Sequence, residues 1–370
     1  MRRWSLLGLR RSDRSRQRSG AALSDALNRW RSQRSRVRAN LQGRAGVLGA
    51  RAALVSDLSV SLGKLTLPLP TLMASGCYGS GEEYSPFIDL SKVGGVVLKS
   101  VTRWPRLGNA TPRLVPTPSG FLNAIGLQNP GIDWYLDHEV RKFAGRPCAI
   151  IGSVAGFSVD DYGYVTERLA RRPEIAAIEV NISCPNVASE GETFACDPQL
   201  TKKVVALTRS VTDKTLIVKL SPNVTDIAAI AREAEEAGAD ALAVINTVRA
   251  MAIDIDAWRP RLGNVAGGLS GAAIRPIAVL AVYEVASAVH IPIVGQGGIE
   301  SASDALEFFL AGASAVCIGT ANFTDPRAPV RIVEGVREYL QQRKLRSLKD
   351  IIGRANVGFS NAHQYEGDEG

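Results

Sequence analysis

Histidine and cysteine are scarce in this 370-residue chain, and neither is spaced to hold a metal. The three histidines (His138, His290, His363) form no cluster, which argues against a zinc site. The five cysteines (Cys77, Cys148, Cys184, Cys196, Cys317) include no CxxC pair, so the chain cannot supply the four ligands of an iron–sulfur cluster. Three of them lie in or beside apolar runs, as expected of reduced thiols in a reducing compartment such as the cytoplasm. No apolar run reaches the roughly 18 residues of a transmembrane helix. No G-x-G-x-x-G turn follows the first apolar strand, which disfavours a doubly wound sheet.

Acidic residues are almost missing from the first fifty positions. Residues 1–50 hold 13 Arg, 2 Asp and neither Lys nor Glu, a net +11. The whole chain is +8, so the rest nets −3, and the basic balance is no argument for nucleic-acid binding by the fold. The longest apolar stretch here, Leu6-Leu7-Gly8-Leu9, is too short for a secretory core. Three readings of segment 1–54 stay open: a transit-like or lipid-touching basic arm, a disordered tail, or an over-called translation start. The third is preferred because Val55-Ser56-Asp57-Leu58 resembles a natural beginning. In none of them does the arm decide the function.

Hydrophobic residues, by contrast, make up 45% of the chain, and glycine contributes 35 residues. One core of about 250–300 residues fits this better than two equal domains. The expected organisation is an arm (1–54), a catalytic body (55–345) and a C-terminal tail (346–370). Segments 58–62 and 64–67, joined at Gly63, read as a β-hairpin closing the bottom of the body. Eight short Val- and Ile-rich runs follow, at 71–75, 94–99, 148–153, 176–182, 215–220, 241–246, 291–295 and 315–319. Helical periodicity fills 225–237, 272–289 and 301–311, with glycine stops at Gly238 and Gly312. Eight β-then-α units predict an α/β fold, a closed (β/α)8 TIM barrel.

In such barrels the strands' C-terminal ends build the active face. Here they carry Ser75, Lys99-Ser100, Ser153, Asn181, Lys219, Asn246-Thr247, Gly297-Gly298 and Gly319-Thr320. Polar groups ending apolar strands are costly unless something pairs with them, and a shared ligand is the simplest partner. The two glycine pairs lead towards helix N-termini and suit a phosphate.

Five motifs, in order, carry a family resemblance. They are Asn123-Ala124-Ile125-Gly126-Leu127, Asn181-Ile182-Ser183-Cys184-Pro185-Asn186, Lys219-Leu220-Ser221-Pro222-Asn223, Gly267-Gly268-Leu269-Ser270-Gly271 and Ile318-Gly319-Thr320-Ala321-Asn322-Phe323. Together they resemble the class 1B dihydroorotate dehydrogenases over about 58–340. The resemblance implies FMN-dependent oxidation of dihydroorotate to orotate in pyrimidine biosynthesis. In it Cys184 takes the C5 proton, hydride passes from C6 to FMN, and Lys219 stabilises the charge of the reduced ring. Lys99, Asn123, Ala124, Ile125, Gly126, Leu127, Asn181, Asn246 and Thr247 are implied to hold the substrate. Ser75, Lys99, Ser100, Ser153, Asn181, Lys219, Ile245, Gly271, Gly297, Gly298, Gly319 and Thr320 are implied to contact FMN. One departure stands out, Ser153 where the family usually has Asn.

The residue chemistry agrees with these roles. A thiol titrates near ~8.5, so an ionised cysteine accepts a proton from a weak carbon acid. Lysine matches a carboxylate, and asparagine matches ring amides. The loop 185–198, containing Gly191, suits a lid that excludes water.

Cysteine rather than serine as base separates the chain from quinone-reducing relatives. Asn123–Leu127 separates it from fumarate-reducing ones. The implied assembly is a homodimer within a heterotetramer, with an FAD/[2Fe–2S] subunit passing electrons to NAD+. The rivals are a fumarate-reducing class 1A-like enzyme, a dihydropyrimidine dehydrogenase-like FMN enzyme, and a flavin-free barrel lyase or isomerase. The last would need an acid–base carboxylate or lysine at strand ends; the carboxylate Glu179 lies within its strand, as a core-paired or bottom-face residue.

Overall fold

The computed structural model describes residues 56–79, 84, 86–182 and 197–356. The basic arm and Cys184 lie outside these residues, as do Cys196 and residues 185–196 of the expected lid.

The expected hairpin opens the body. Its strands β1 (Val60–Leu62) and β2 (Leu65–Leu67) pair antiparallel, with Leu62 opposite Leu65. Leu62 and Leu67 are fully buried. Burying each from water is worth about 1.5–3 kcal/mol. The barrel begins with β3 (Thr71–Met73) and β4 (Gly95–Val97). A second hairpin follows, of β5 (Leu114–Thr117) and β6 (Gly120–Asn123). The barrel resumes with β7 (Ala149–Val154), β8 (Ala177–Asn181), β9 (Thr215–Lys219) and β10 (Ala241–Val244). An excursion then gives β11 (Val248–Ala250), the two-residue partners β12 (Ile253–Asp254) and β13 (Arg259–Pro260), and β14 (Gly267–Ser270). Finally β15 (Ile293–Gln296) and β16 (Ala315–Ile318) bring the chain back to β3.

Eight parallel strands close in the order β3-β4-β7-β8-β9-β10-β15-β16. These are the eight runs expected from the sequence, with ends differing by three residues or fewer. β8, β9, β10 and β16 are buried along their whole length, which explains why they read as continuous apolar runs rather than alternating ones.

The amphipathic helices Val159–Ala170, Pro198–Ser210, Ile227–Glu236 and Ala328–Gln342 each turn an apolar face to the core. Ile227–Glu236 buries Ile227, Ile230, Ala231 and Ala234, the i, i+3, i+4, i+7 stripe of a surface helix. Asp226 caps its start by accepting from the Ala229 amide, and Gly238 takes a positive φ just past its end. Helix Ala302–Ala311 begins with a capping box between Ser301 and Asp304 and ends at Gly312, as its sequence indicates.

The first hairpin meets the strands at their N-terminal ends. Thr215, the first residue of β9, accepts from the Leu65 amide and donates to the Leu62 carbonyl. At the other end β5, β6, β11 and β14 form a separate four-stranded antiparallel sheet that sequence patterning did not show. Residues 346–356, set apart from sequence as the start of a tail, pack onto the body. Leu348 and Ile351 are buried, the Leu348 amide donates to the Asp57 carbonyl, and the Gly353 amide donates to Phe309. Two apolar residues in so short a stretch give no period to read. Among the described residues no helix is long and apolar enough to cross a membrane.

Candidate active site

A cavity of about 550 Å³ opens at the C-terminal ends of the barrel strands, within the size range of small-molecule and cofactor sites. The expected residues converge on it from most of the strand ends. Ser75 follows β3, Lys99 and Ser100 follow β4, Asn181 ends β8 and Lys219 ends β9. Ile245, Asn246 and Thr247 come from the β10 end. Gly297 and Gly298 follow β15, and Gly319 and Thr320 follow β16. The four-stranded sheet delivers Asn123 to Leu127 on one side and Gly271 on the other.

Two expected residues are not among its lining. Cys184 lies outside the described residues. Ser153 has no exposed surface, so its expected direct contact with a cofactor is not available in this conformation. It sits beneath the cavity floor instead, bonded to two neighbours.

Those bonds belong to a buried polar chain. Ser153 Oγ donates to Glu179 Oε1 at 3.1 Å and lies 2.8 Å from Ser100 Oγ. Ser100 Oγ accepts from Asn181 Nδ2 at 3.2 Å and lies 3.3 Å from Ser75 Oγ. Asn246 Nδ2 reaches Asn181 Oδ1 at 3.5 Å, and Asn246 Oδ1 accepts from the Thr247 amide at 2.8 Å. The Tyr162 hydroxyl donates to the Asn181 carbonyl from below. Glu179, read from sequence as core-paired or bottom-face, is therefore core-paired, 2% exposed and joined to Ser153.

The loop 123–127 is held through its carbonyls. Asn109 Nδ2 donates to Ala124, and Asn129 Nδ2 donates to Leu127. Asn123 Nδ2 itself crosses to the Gly268 carbonyl at 3.2 Å. Asn223 of the third motif fixes the neighbouring turn, donating to the Thr247 carbonyl and accepting from the Arg249 amide.

Two thiols that sequence reasoning gave no role, Cys77 and Cys317, line the cavity as well. Burial pushes the Cys77 thiol above its ordinary range, against the opposing charges of Lys219 and Lys99. Burial also raises Cys317, and the Glu179 carboxylate adds to the effect. Both are therefore neutral thiols near pH 7. Gln296 was likewise missed, because Gly295-Gln296-Gly297-Gly298 reads as a glycine turn. Its residue lines the cavity, and its Nε2 is buried without a partner among the described residues.

The family model for dihydroorotate dehydrogenase matches residues 57–340. The chain belongs to the dihydroorotate dehydrogenase family. It is 49% identical over 301 residues to the dihydroorotate dehydrogenase B (NAD(+)) catalytic subunit of Desulforamulus reducens, covering 81% of this chain and 99% of that protein. The catalytic subunit of the same name from Trichlorobacter lovleyi is 51% identical, covering 80% and 97%, and that from Bacteroides thetaiotaomicron is 47% identical, covering 82% and 100%. The crystal structure of the Eimeria tenella dihydroorotate dehydrogenase with ferulenol superposes with a TM-score of 0.69 at 23% identity, covering 85% of this chain and 92% of that one. That likeness bears on the barrel fold.

The residues present fit a flavin mononucleotide. Gly297 and Gly298 have φ of +126° and +73°, and a Cβ at either would approach protein atoms to 2.9 Å or closer, so the turn itself demands glycine. Gly319 is different. A Cβ there would meet nothing nearer than Cys77 Sγ at 3.5 Å, ordinary contact, so the protein's own packing leaves room for it. The methyl would enter the cavity instead. The unpartnered Gln296 amide suits a ligand rich in carbonyl and ring-nitrogen acceptors, since an orphan buried donor costs about 1–3 kcal/mol. Gly319→Ala is accordingly expected to melt within about 2 °C of the native protein when flavin-free. It is expected to bind FMN at least about tenfold more weakly, a loss of about 1.4 kcal/mol. Fluorescence titration of the apoprotein checks this, and unchanged FMN affinity would show that the flavin does not approach Gly319.

Proposed function

We propose that this chain oxidises (S)-dihydroorotate to orotate in pyrimidine biosynthesis, using FMN, with electrons passing to NAD+ through a separate subunit. One observation carries the reading: Lys99, Asn123, Asn181, Lys219 and Asn246 line a single cavity with the glycine turns after β15 and β16. Cations, carboxamides and backbone cradles are the donor set that an anionic cyclic amide and a phosphorylated cofactor require together. The names of the similar catalytic subunits support the substrate and the acceptor.

When bound, the flavin supplies the acceptor for the hydride leaving C6. The protein's part is to hold the substrate and remove the C5 proton, so that a C5–C6 double bond forms. Lys99 pairs with the carboxylate, while Asn123, Asn181 and Asn246 bind the ring amides, helped by Ala124 to Leu127 and Thr247. Ser75, Ser100, Ile245, Gly271, Gly297, Gly298, Gly319 and Thr320 hold the FMN. Lys219 keeps a fixed positive charge at the cavity floor. Cys184 is the base. In sequence it stands three residues after Asn181, the last residue of β8, and Cys77 and Cys317 are held protonated by burial. No histidine lines the cavity among the described residues.

The five cysteines cannot supply an iron–sulfur cluster, so onward transfer needs an FAD/[2Fe–2S] partner, joined to a homodimer of this chain in a heterotetramer. Free Cys77, Cys148 and Cys317 suit the reducing cytoplasm.

The test is substrate selection by the flavin-loaded protein. Under anaerobic conditions dihydroorotate is expected to bleach the visible flavin band, and dihydrouracil, which lacks the carboxylate that Lys99 would bind, is not. Equal bleaching by both, or bleaching by dihydrouracil alone, refutes the assignment.

A further inference from the structure

The buried chain beneath the cavity has a direction, and its source is Glu179. Its Oε1 accepts the hydrogen bond that Ser153 Oγ donates. Ser153 has a single hydroxyl proton, and it is committed to Glu179 Oε1. In the 2.8 Å contact between Ser153 and Ser100, Ser153 therefore accepts and Ser100 donates. Ser100 has then used its own proton. Its oxygen accepts from Asn181 Nδ2, and in the 3.3 Å contact with Ser75 it accepts again. Ser75 in turn accepts from the Ser100 amide at 3.2 Å. Every hydroxyl in the group now has one orientation.

We infer that Glu179 is a positioning residue whose carboxylate, acting through Ser153 and Ser100, fixes the side-chain amide of Asn181 with Nδ2 turned into the wall and Oδ1 turned towards Asn246, so that the site presents an acceptor to a ring N–H of its ligand. The register supports the link, since Ser153 lies opposite Glu179 across β7 and β8. So does burial, because Ser100, Ser153, Glu179 and Asn181 are each at most 8% exposed. Water therefore has little access to rescue a reversed hydroxyl. A cyclic amide or imide offers such an N–H, whereas a ring carbonyl would confront the Asn181 oxygen. The inference rests on the proposed pyrimidine-binding role for its ligand, but not for the orientation of Asn181.

The experiment separates those two layers. Protein labelled with 15N in asparagine alone is prepared as wild type, Ser153→Ala, Glu179→Gln and the double variant, with the Asn181 carboxamide signal assigned from Asn181→Ser. Breaking the relay is expected to move that signal in both single variants, without any ligand. Orotate titrated into the flavin-loaded proteins is expected to bind about 10-fold more weakly in each single variant, one hydrogen bond's worth. In the double variant the loss is expected to remain about 10-fold, because both changes cut one chain. A loss of about 100-fold in the double variant means independent structural effects and overturns the inference. An Asn181 signal that stays in place in Ser153→Ala overturns it as well, whether or not orotate binds. Failure of the wild-type protein to bind orotate counts against the functional proposal alone, and the amide signal still decides the relay.

Discussion

Mixed anaerobically with dihydroorotate, flavin-loaded Cys184→Ala is expected to bind the substrate yet lose its flavin absorbance about 10² to 10⁴ times more slowly than the native protein. That range is the usual contribution of a positioned general base. On the proposed reading, carboxylate and amide recognition fall to Lys99 and the asparagines, so orotate affinity should change little. The pH dependence follows from the same role. The base must be deprotonated to act, so the native rate should rise with pH through the thiol's pKa and level off above it. An unperturbed thiol sets that step near ~8.5, and neighbouring cations would shift it lower. Cys184→Ala should lack the step. The neutral Cys77 and Cys317 offer no substitute, because burial disfavours their thiolates. Reduction of the variant at the native rate, or an unchanged pH step, would remove Cys184 from the mechanism and leave the barrel in search of another base.

The barrel was legible because its strands are buried on both faces. In 215–220 an apolar Leu216-Ile217-Val218 stretch leads to Lys219, and in 315–319 Ala315-Val316-Cys317-Ile318 leads to Gly319, and both Lys219 and Gly319 turned out to line the cavity. The four-stranded sheet was not legible, for the opposite reason. In β14 every residue is half-buried, and β5 and β6 mix exposed, half-buried and buried positions without a clean period of two. Its pairing is also long-range: Asn123 lies opposite Gly268 through contacts that no local pattern announces. The same limit hid the relay. Glu179 and Ser153 are each unremarkable within their strands, and only the β7–β8 register brings them together. Hence Ser153 was expected to touch the cofactor, although its surface is wholly consumed by Ser100, Glu179 and the surrounding core. Gln296 was hidden by its neighbours, since three glycines around it suggest a turn rather than a side chain with work to do.

Replacing Lys219 by methionine, which keeps most of the stem and removes the charge, is expected to lower turnover about 10² to 10³-fold. Removing one preorganised electrostatic donor from an enclosed site typically costs this much. Lys219 ends β9 directly beside Asn181 of β8, is 7% exposed, and lines the cavity, so its charge acts where water screens little. Arginine is not expected to restore activity, because its planar fork needs more room and a different set of partners. The same substitution can be read without flavin or substrate. Lys219 heads the charges that lower the Cys77 pKa against burial, so removing it must raise that pKa further. A higher pKa means less thiolate at a given pH, and alkylation of Cys77 by iodoacetamide in the flavin-free protein should slow accordingly. Unchanged alkylation together with native turnover would show that the Lys219 ammonium is directed away from the cavity, and the charge assigned to its floor would have to come from Lys99 alone.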